Sequence, residues 1–166
     1  MSSYVIAAAA VGAGATLVMD LWNLFLKRGF GLPSLDYCHL GRWLCHMQRG
    51  TFRHDSIAAA PAMLCECAVG WTAHYSIGFV FALAFLALAP GWLAQPTLPP
   101  ALLYGLATVV FPLFLMQPLL GFGVAASRTA SPARARLKSL ATHTAFGVGL
   151  YLAALLVGRV LQVRAD

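Results

Sequence analysis

The chain has 166 residues, of which 60% are hydrophobic and only 10% charged, and its net charge is +6. A soluble globular domain runs nearer half apolar and a quarter charged, so an ordinary aqueous fold is excluded, and the apolar content excludes disorder. The length leaves no room for separate catalytic and cofactor domains.

The first apolar run covers residues 5–26 and is followed at once by Lys27 and Arg28. Three more runs follow at 67–89, 101–122 and 140–161. At about 22 residues, or roughly 33 Å as helix, each is long enough to cross a hydrocarbon core of about 30 Å. Four such helices in so small a chain could not bury one another in water. The expected fold is all-α: a four-helix transmembrane bundle in a single integral membrane domain, solvated by the lipid bilayer. The first run lacks the basic n-region of a signal peptide and is too long for one, so it reads as an uncleaved anchor.

Span one opens with Ala7 to Ala10, Gly12, Ala13, Gly14 and Ala15, and span four carries Ala145, Gly149 and Ala153. Small residues four apart let helices approach closely in lipid. These two faces could meet inside one bundle or pair two copies of the chain as a homodimer, and spacing does not separate the two.

Between spans one and two, Tyr37, Leu40, Trp43, Leu44 and Met47 form a helical apolar stripe, with His39, Arg42, His46 and Arg49 on the other side. Pro33, Ser34 and Asp36 are start signals and Gly50 a stop. The pattern predicts an amphipathic interfacial helix over 36–49, with Trp43 at headgroup level. It is either a plain anchor for its loop or a lid over whatever lies between the spans.

Basic residues set the orientation. Lys27, Arg28, Arg42, Arg49 and Arg53 lie between spans one and two, and Arg128, Arg134, Arg136 and Lys138 between spans three and four. The Pro-rich turn around Pro90 to Pro100 has none. The positive-inside rule then places both basic loops in the cytoplasm and both termini outside. The net charge is thus a topology signal, and nucleic acid is not an expected partner. On that side thiols stay reduced, so Cys38, Cys45, Cys65 and Cys67 are expected to be inert small hydrophobes rather than a disulfide framework.

Ionisable groups inside a membrane are costly and usually have a purpose. Asp20 lies about two turns, roughly 9 Å, from the cytoplasmic end of span one, and His74 about 12 Å into span two, which opens at Glu66. Span three ends with Met116, Gln117 and Pro118, and span four starts near His143. Three readings follow. Asp20, Glu66, His74 and His143 could hold a metal ion, or His74 and His143 a haem, with His46, His54 and Gln117 as outer members. Asp20 could instead be the titrating group of a proton-coupled small-solute transporter, which with four spans requires a dimer. Or Asp20 could pair with His143 or a loop arginine only to fix helix order, in a structural or assembly protein without a ligand. No metal-ligand spacing, GxSxG, P-loop or GxGxxG is present, which counts against hydrolysis and names no enzyme class.

The residues Gly12–Ala13–Gly14–Ala15–Thr16, Met19–Asp20–Leu21–Trp22, Gly41–Arg42–Trp43 and His46–Met47 carry a resemblance that continues through Gly70–Trp71, His74–Tyr75, Ile77–Gly78, Met116–Gln117–Pro118, His143 and Phe146–Gly147. Across nearly its whole length the chain resembles the bacterial multi-pass inner-membrane family termed domain of unknown function 2938. The resemblance implies that Asp20, His46, His74, Gln117 and His143 belong to a shared pattern, and it supplies no activity or cofactor.

Overall fold

A computed structural model describes the backbone of residues 2–32 and 35–163 and the side chains of residues 4–32 and 35–159. Pro33 and Ser34 lie outside the described residues. All regular structure among those residues is helical. Helix α1 is Ser2–Phe30, α2 Tyr37–Met47, α3 Glu66–Leu88 and α4 Leu98–Ala107. A π-helical turn, Pro112–Met116, leads into the short α5, Gln117–Leu119, and the chain closes with α6, Pro132–Val163. Among the described residues four segments are long and apolar enough to cross a membrane: Tyr4–Phe30, Glu66–Leu88, Leu98–Leu119 and Pro132–Arg159. The fourth begins eight residues earlier than expected from 140. Pro132 suits a first helical turn, so Arg134, Arg136 and Lys138 lie on the helix rather than in a loop.

Three of the seams between helices are built on glycine. A Cβ on Gly12 would meet the backbone of Gly78 and Phe79, which joins α1 to α3. Gly14 faces Ala153 and Gly149 faces Ala15, joining α1 to α6, while Gly105 faces Gly147 and joins α4 to α6. The small faces of spans one and four therefore meet each other within one chain. The contact between α3 and α4 is different, because it runs through side chains. Tyr104 OH donates to the Phe81 carbonyl at 2.9 Å, and Phe85 and Tyr104 lie with ring centroids 4.9 Å apart. With lipid as solvent, close backbone approach supplies the dispersion and weak polar contacts that hydrophobic burial cannot. Ala8, Val11, Ala15, Ala82, Leu150 and Ala154 fill the resulting core.

Helix α2 forms where the stripe predicts it. Asp36 caps it by accepting from the Cys38 N–H at 2.9 Å. Its apolar side faces protein: Leu40 and Trp43 are buried with Ile57 and Leu120, and Trp43 Nε1 donates to the Phe52 carbonyl at 2.8 Å. Trp43 is thus a core residue and not a headgroup anchor. The helix packs antiparallel on the first two turns of α3. Tyr37 lies at His74, Gly41 against Glu66 and Gly70, and Arg42 at Glu66. A Cβ on Gly41 would overlap the Glu66 carbonyl, and one on Gly70 the Tyr37 carbonyl. The same crossing brings Cys38 and Cys67, 29 residues apart in sequence, to a Cα separation of 3.9 Å, where they form a disulfide. This corrects the expectation of four inert thiols. Spacing within each pair, 38 to 45 and 65 to 67, gives no hint of a bond between pairs, which only the crossing creates. Cys45 and Cys65 remain free.

Candidate functional site

The polar residues of the spans fall into separate contacts. Asp20, partly buried on α1, accepts three hydrogen bonds. His74 Nε2 donates to Oδ1 at 2.9 Å, Tyr37 OH to Oδ1 at 3.1 Å and Tyr75 OH to Oδ2 at 3.2 Å. The donors come from α2 and α3, so one carboxylate ties three helices together. Aromatic rings wall it in. Tyr37 stacks on His74 with centroids 4.0 Å apart, and Trp71 meets Tyr37 edge-on at 4.6 Å. Burial, and then the neighbouring Asp20 carboxylate, push the Tyr37 hydroxyl far above the usual phenol range. Tyr37 is therefore a proton-bearing donor at any physiological pH.

Glu66 lies in a second contact. Arg42 grips it through Nη2 at 2.7 Å and Nε at 2.8 Å, a two-pronged pairing. Arg42 Nη1 also donates to the Ile57 and Ala60 carbonyls, each at 3.1 Å, and Glu66 Oε2 accepts from Met63 N–H at 2.8 Å. The hydrogen bond to Glu66 is the largest cause raising the Arg42 guanidinium above its ordinary value. In the sequence Arg42 is a topology charge on the polar side of a helix. Its role as the clasp of the 57–66 loop follows from the antiparallel crossing, for which spacing carries no signal.

His143 lies in a third contact, on α6. Thr108 Oγ1 donates its one proton to the Gly105 carbonyl at 2.6 Å, so His143 Nδ1 must donate to Thr108 Oγ1 at 2.7 Å. One residue earlier, Thr142 Oγ1 donates to Asn23 Oδ1 at 3.0 Å, linking α6 to α1. Asn23 and Thr108, both buried, are polar members that a search for ionisable groups passes over.

His46 and His54 meet outside the spans, with His46 Nδ1 and His54 Nε2 2.8 Å apart. His46 Nε2 lies 3.0 Å from the Pro61 carbonyl, which can only accept. In neutral imidazoles this fixes the tautomers: His46 carries its proton on Nε2, and His54 Nε2 donates to His46 Nδ1. His54 Nδ1 is then a bare lone pair, and it is buried without a hydrogen-bond partner among the described residues. Burial first, and His46 second, hold the His54 imidazole below its ordinary value. A shallow cavity of about 530 Å³ opens here, lined by His46, Thr51, His54, Asp55 and Ser56 among others. Gln117 stands apart at the end of the π-helical turn, and its side-chain oxygen is also buried without a partner among the described residues.

The structure thus brings Asp20 to His74 and His46 to His54, and places Glu66, His143 and Gln117 elsewhere. Asp20 is paired with His74 rather than with His143 or a loop arginine. Among the described residues no group of three or more His, Cys, Asp and Glu side chains is placed to hold a metal ion. His74 Nε2 and His143 Nδ1 are already engaged with Asp20 and Thr108. Asp20 with His74, Glu66 with Arg42 and His143 with Thr108 thus form three separate contacts and are not gathered around one point.

Neither a curated protein nor a solved structure matches the chain. A family model does, over residues 9–157, and those residues include every member of the Asp20 cluster and both partners of the His143 contact. The chain belongs to the family described as protein of unknown function (DUF2938).

Proposed function

We propose that the protein is a proton-coupled carrier of small organic cations in a bacterial inner membrane, with the Asp20–His74 pair as its exchange centre. The reading rests on one observation: a carboxylate within a membrane span is held by three donors from two other helices and enclosed by aromatic rings. A carboxylate offers about four acceptor positions and three are occupied, which leaves one for a proton or for a cation competing with it. Tyr37 and Tyr75 meet the carboxylate through their hydroxyls and Trp71 packs on the rings of Tyr37, His74 and Tyr75, an anionic group in an aromatic surround that suits a cationic, partly apolar solute. Tyr37 belongs to α2, which is not a span, so movement of α2 would uncover the carboxylate without unpacking the bundle.

A metal centre at Asp20, Glu66, His74 and His143 would require each side chain to leave its present partner, so the geometry favours proton exchange. Alternating access in a four-span chain calls for a second copy. That copy would pack on a lipid-facing surface, because Gly14 and Gly149 already meet Ala153 and Ala15. In the orientation proposed here α2 and both basic segments are cytoplasmic and the termini periplasmic.

The test uses the full chain in proteoliposomes, with tetraphenylphosphonium as the probe cation and a trapped pH indicator. Probe movement that drives opposite proton movement is expected, and Asp20→Asn and His74→Asn should abolish it while keeping the protein monodisperse and helical. Proton movement indifferent to the probe, or coupling that survives in a folded Asp20→Asn protein, would overturn the reading. Labelling of a single cysteine at position 95, but not one at position 53, by an impermeant reagent from the periplasm is expected. The reverse would invert the topology.

A further inference from the structure

The Cys38–Cys67 disulfide lies one residue from Tyr37, the Asp20 donor supplied by α2, and bolts α2 to α3 where Tyr37 reaches the carboxylate. We infer that this disulfide is a thiol-exchange site whose substrate is a cytoplasmic dithiol, and that its reduction releases α2 from the Asp20 centre. The inference rests on the orientation given with the carrier reading and not on transport itself, since the 37–65 segment must face a compartment where disulfides do not persist unaided.

Three features support exchange over permanence. Cys67 is exposed, so a thiolate can reach its sulfur. Both cysteines occupy the second position of a helix, Cys38 after the Asp36 cap and Cys67 after Cys65. There the positive end of the helix stabilises the thiolate that leaves, although the Asp36 carboxylate, spent on the Cys38 N–H, tempers this for Cys38. Beyond the disulfide, α2 is held to α3 by the Arg42–Glu66 pair and the Gly41–Gly70 contact, so its removal loosens the helix without unfolding it.

The chemistry balances. One thiolate of the reductant attacks Cys67 Sγ, breaks the bond to Cys38 Sγ and forms a mixed disulfide, and Cys38 leaves as a thiolate that takes up a proton. The second thiol of the reductant then attacks the mixed disulfide and departs as the oxidised reductant, leaving Cys67 as a thiol. Two electrons and two protons pass from the reductant to the cysteine pair.

The test uses the full chain with Cys45→Ser and Cys65→Ser, so that only the pair reports. Acid-trapped cells are treated with a maleimide polymer, with and without prior diamide. The expected result is reduced thiols at rest and a disulfide after diamide. A disulfide complete in both conditions, or absent in both, would overturn the inference. On the purified protein, dithiothreitol should raise amide exchange across residues 37–47 roughly tenfold while leaving residues 70–85 unchanged. Equal exchange in both redox states would overturn the release of α2. Neither measurement reads transport, so an absence of probe-coupled proton movement would sink the carrier and leave the exchange site standing.

Discussion

The Asp20 and His46–His54 clusters each hold an imidazole by a hydrogen bond, one to a carboxylate and the other to a second imidazole. At Asp20, His74, Tyr37 and Tyr75 each aim their proton at the carboxylate, whereas in the loop the His54 Nδ1 lone pair has no partner among the described residues. Lipid offers no water to complete a half-made network, so a polar cluster there gains most where its donors and acceptors meet one another. The His54 lone pair is buried and unmatched, and burial is the first cause that holds this imidazole below its ordinary value. The Asp20 carboxylate ties three helices together with one acceptor position to spare, whereas the His54 lone pair is left unmatched.

The sharpest way to break this contrast is Asp20→Ala, which leaves three donors without an acceptor. Each unsatisfied buried donor costs about 1–3 kcal/mol, so the loss should exceed that of any single-donor change in the cluster. It would appear as an earlier unfolding transition in detergent, and a change below the noise would show that water already reaches the cluster. Next comes Gly70→Val, which drives a side chain into the Tyr37 carbonyl and detaches α2 without touching Asp20. Overpacking of this kind costs about 1–3 kcal/mol, and protease nicking between residues 37 and 47 should report it.

Tyr37→Phe removes a single donor and keeps the stacked ring. A hydrogen bond to a charged acceptor is worth roughly 1.5–3 kcal/mol, so the loss should fall below that of Asp20→Ala and exceed that of Tyr75→Phe, whose bond is longer. The reverse ranking in a chemical unfolding series would move the closing role from α2 to α3.

The smallest effect belongs to the loop. His54→Gln gives up one hydrogen bond between neutral rings and should change stability by no more than about 1 kcal/mol, yet it should alter the pH response. The folded-state pKa of His54 is depressed, so between that value and the unfolded value near 6.5 the unfolded chain binds more protons. Stability from this group is therefore intact above about pH 6.5 and is lost as the pH falls through that window. Amide exchange over residues 51–60 should quicken on acidification in the parent and stay flat in His54→Gln. A parallel response in both would relocate the titration.

Much of this was legible from residue order alone. Apolar runs set the four spans, Asp36 and Gly50 bracketed α2, and intramembrane cost singled out Asp20, His74 and His143. The pairings were not legible. Asp20 and His74 are 54 residues apart and Arg42 and Glu66 are 24 apart, and no local periodicity relates them. The small-residue faces of spans one and four suited an internal seam and a dimer equally well, until Gly14 was found against Ala153. Arg42, counted as a topology charge, could be recognised as a clasp only once α2 crossed α3.

Hydrophobicity and length determined that this chain has four helices suited to a membrane, because transfer into lipid depends on each segment's own side chains. Which helix meets which was decided by tertiary structure. Every face of such a helix is apolar, so the choice falls to where glycines admit a neighbouring backbone and where buried donors find their acceptors. The same choice joined Cys38 to Cys67, divided the ionisable residues into separate contacts and set Tyr37 over Asp20.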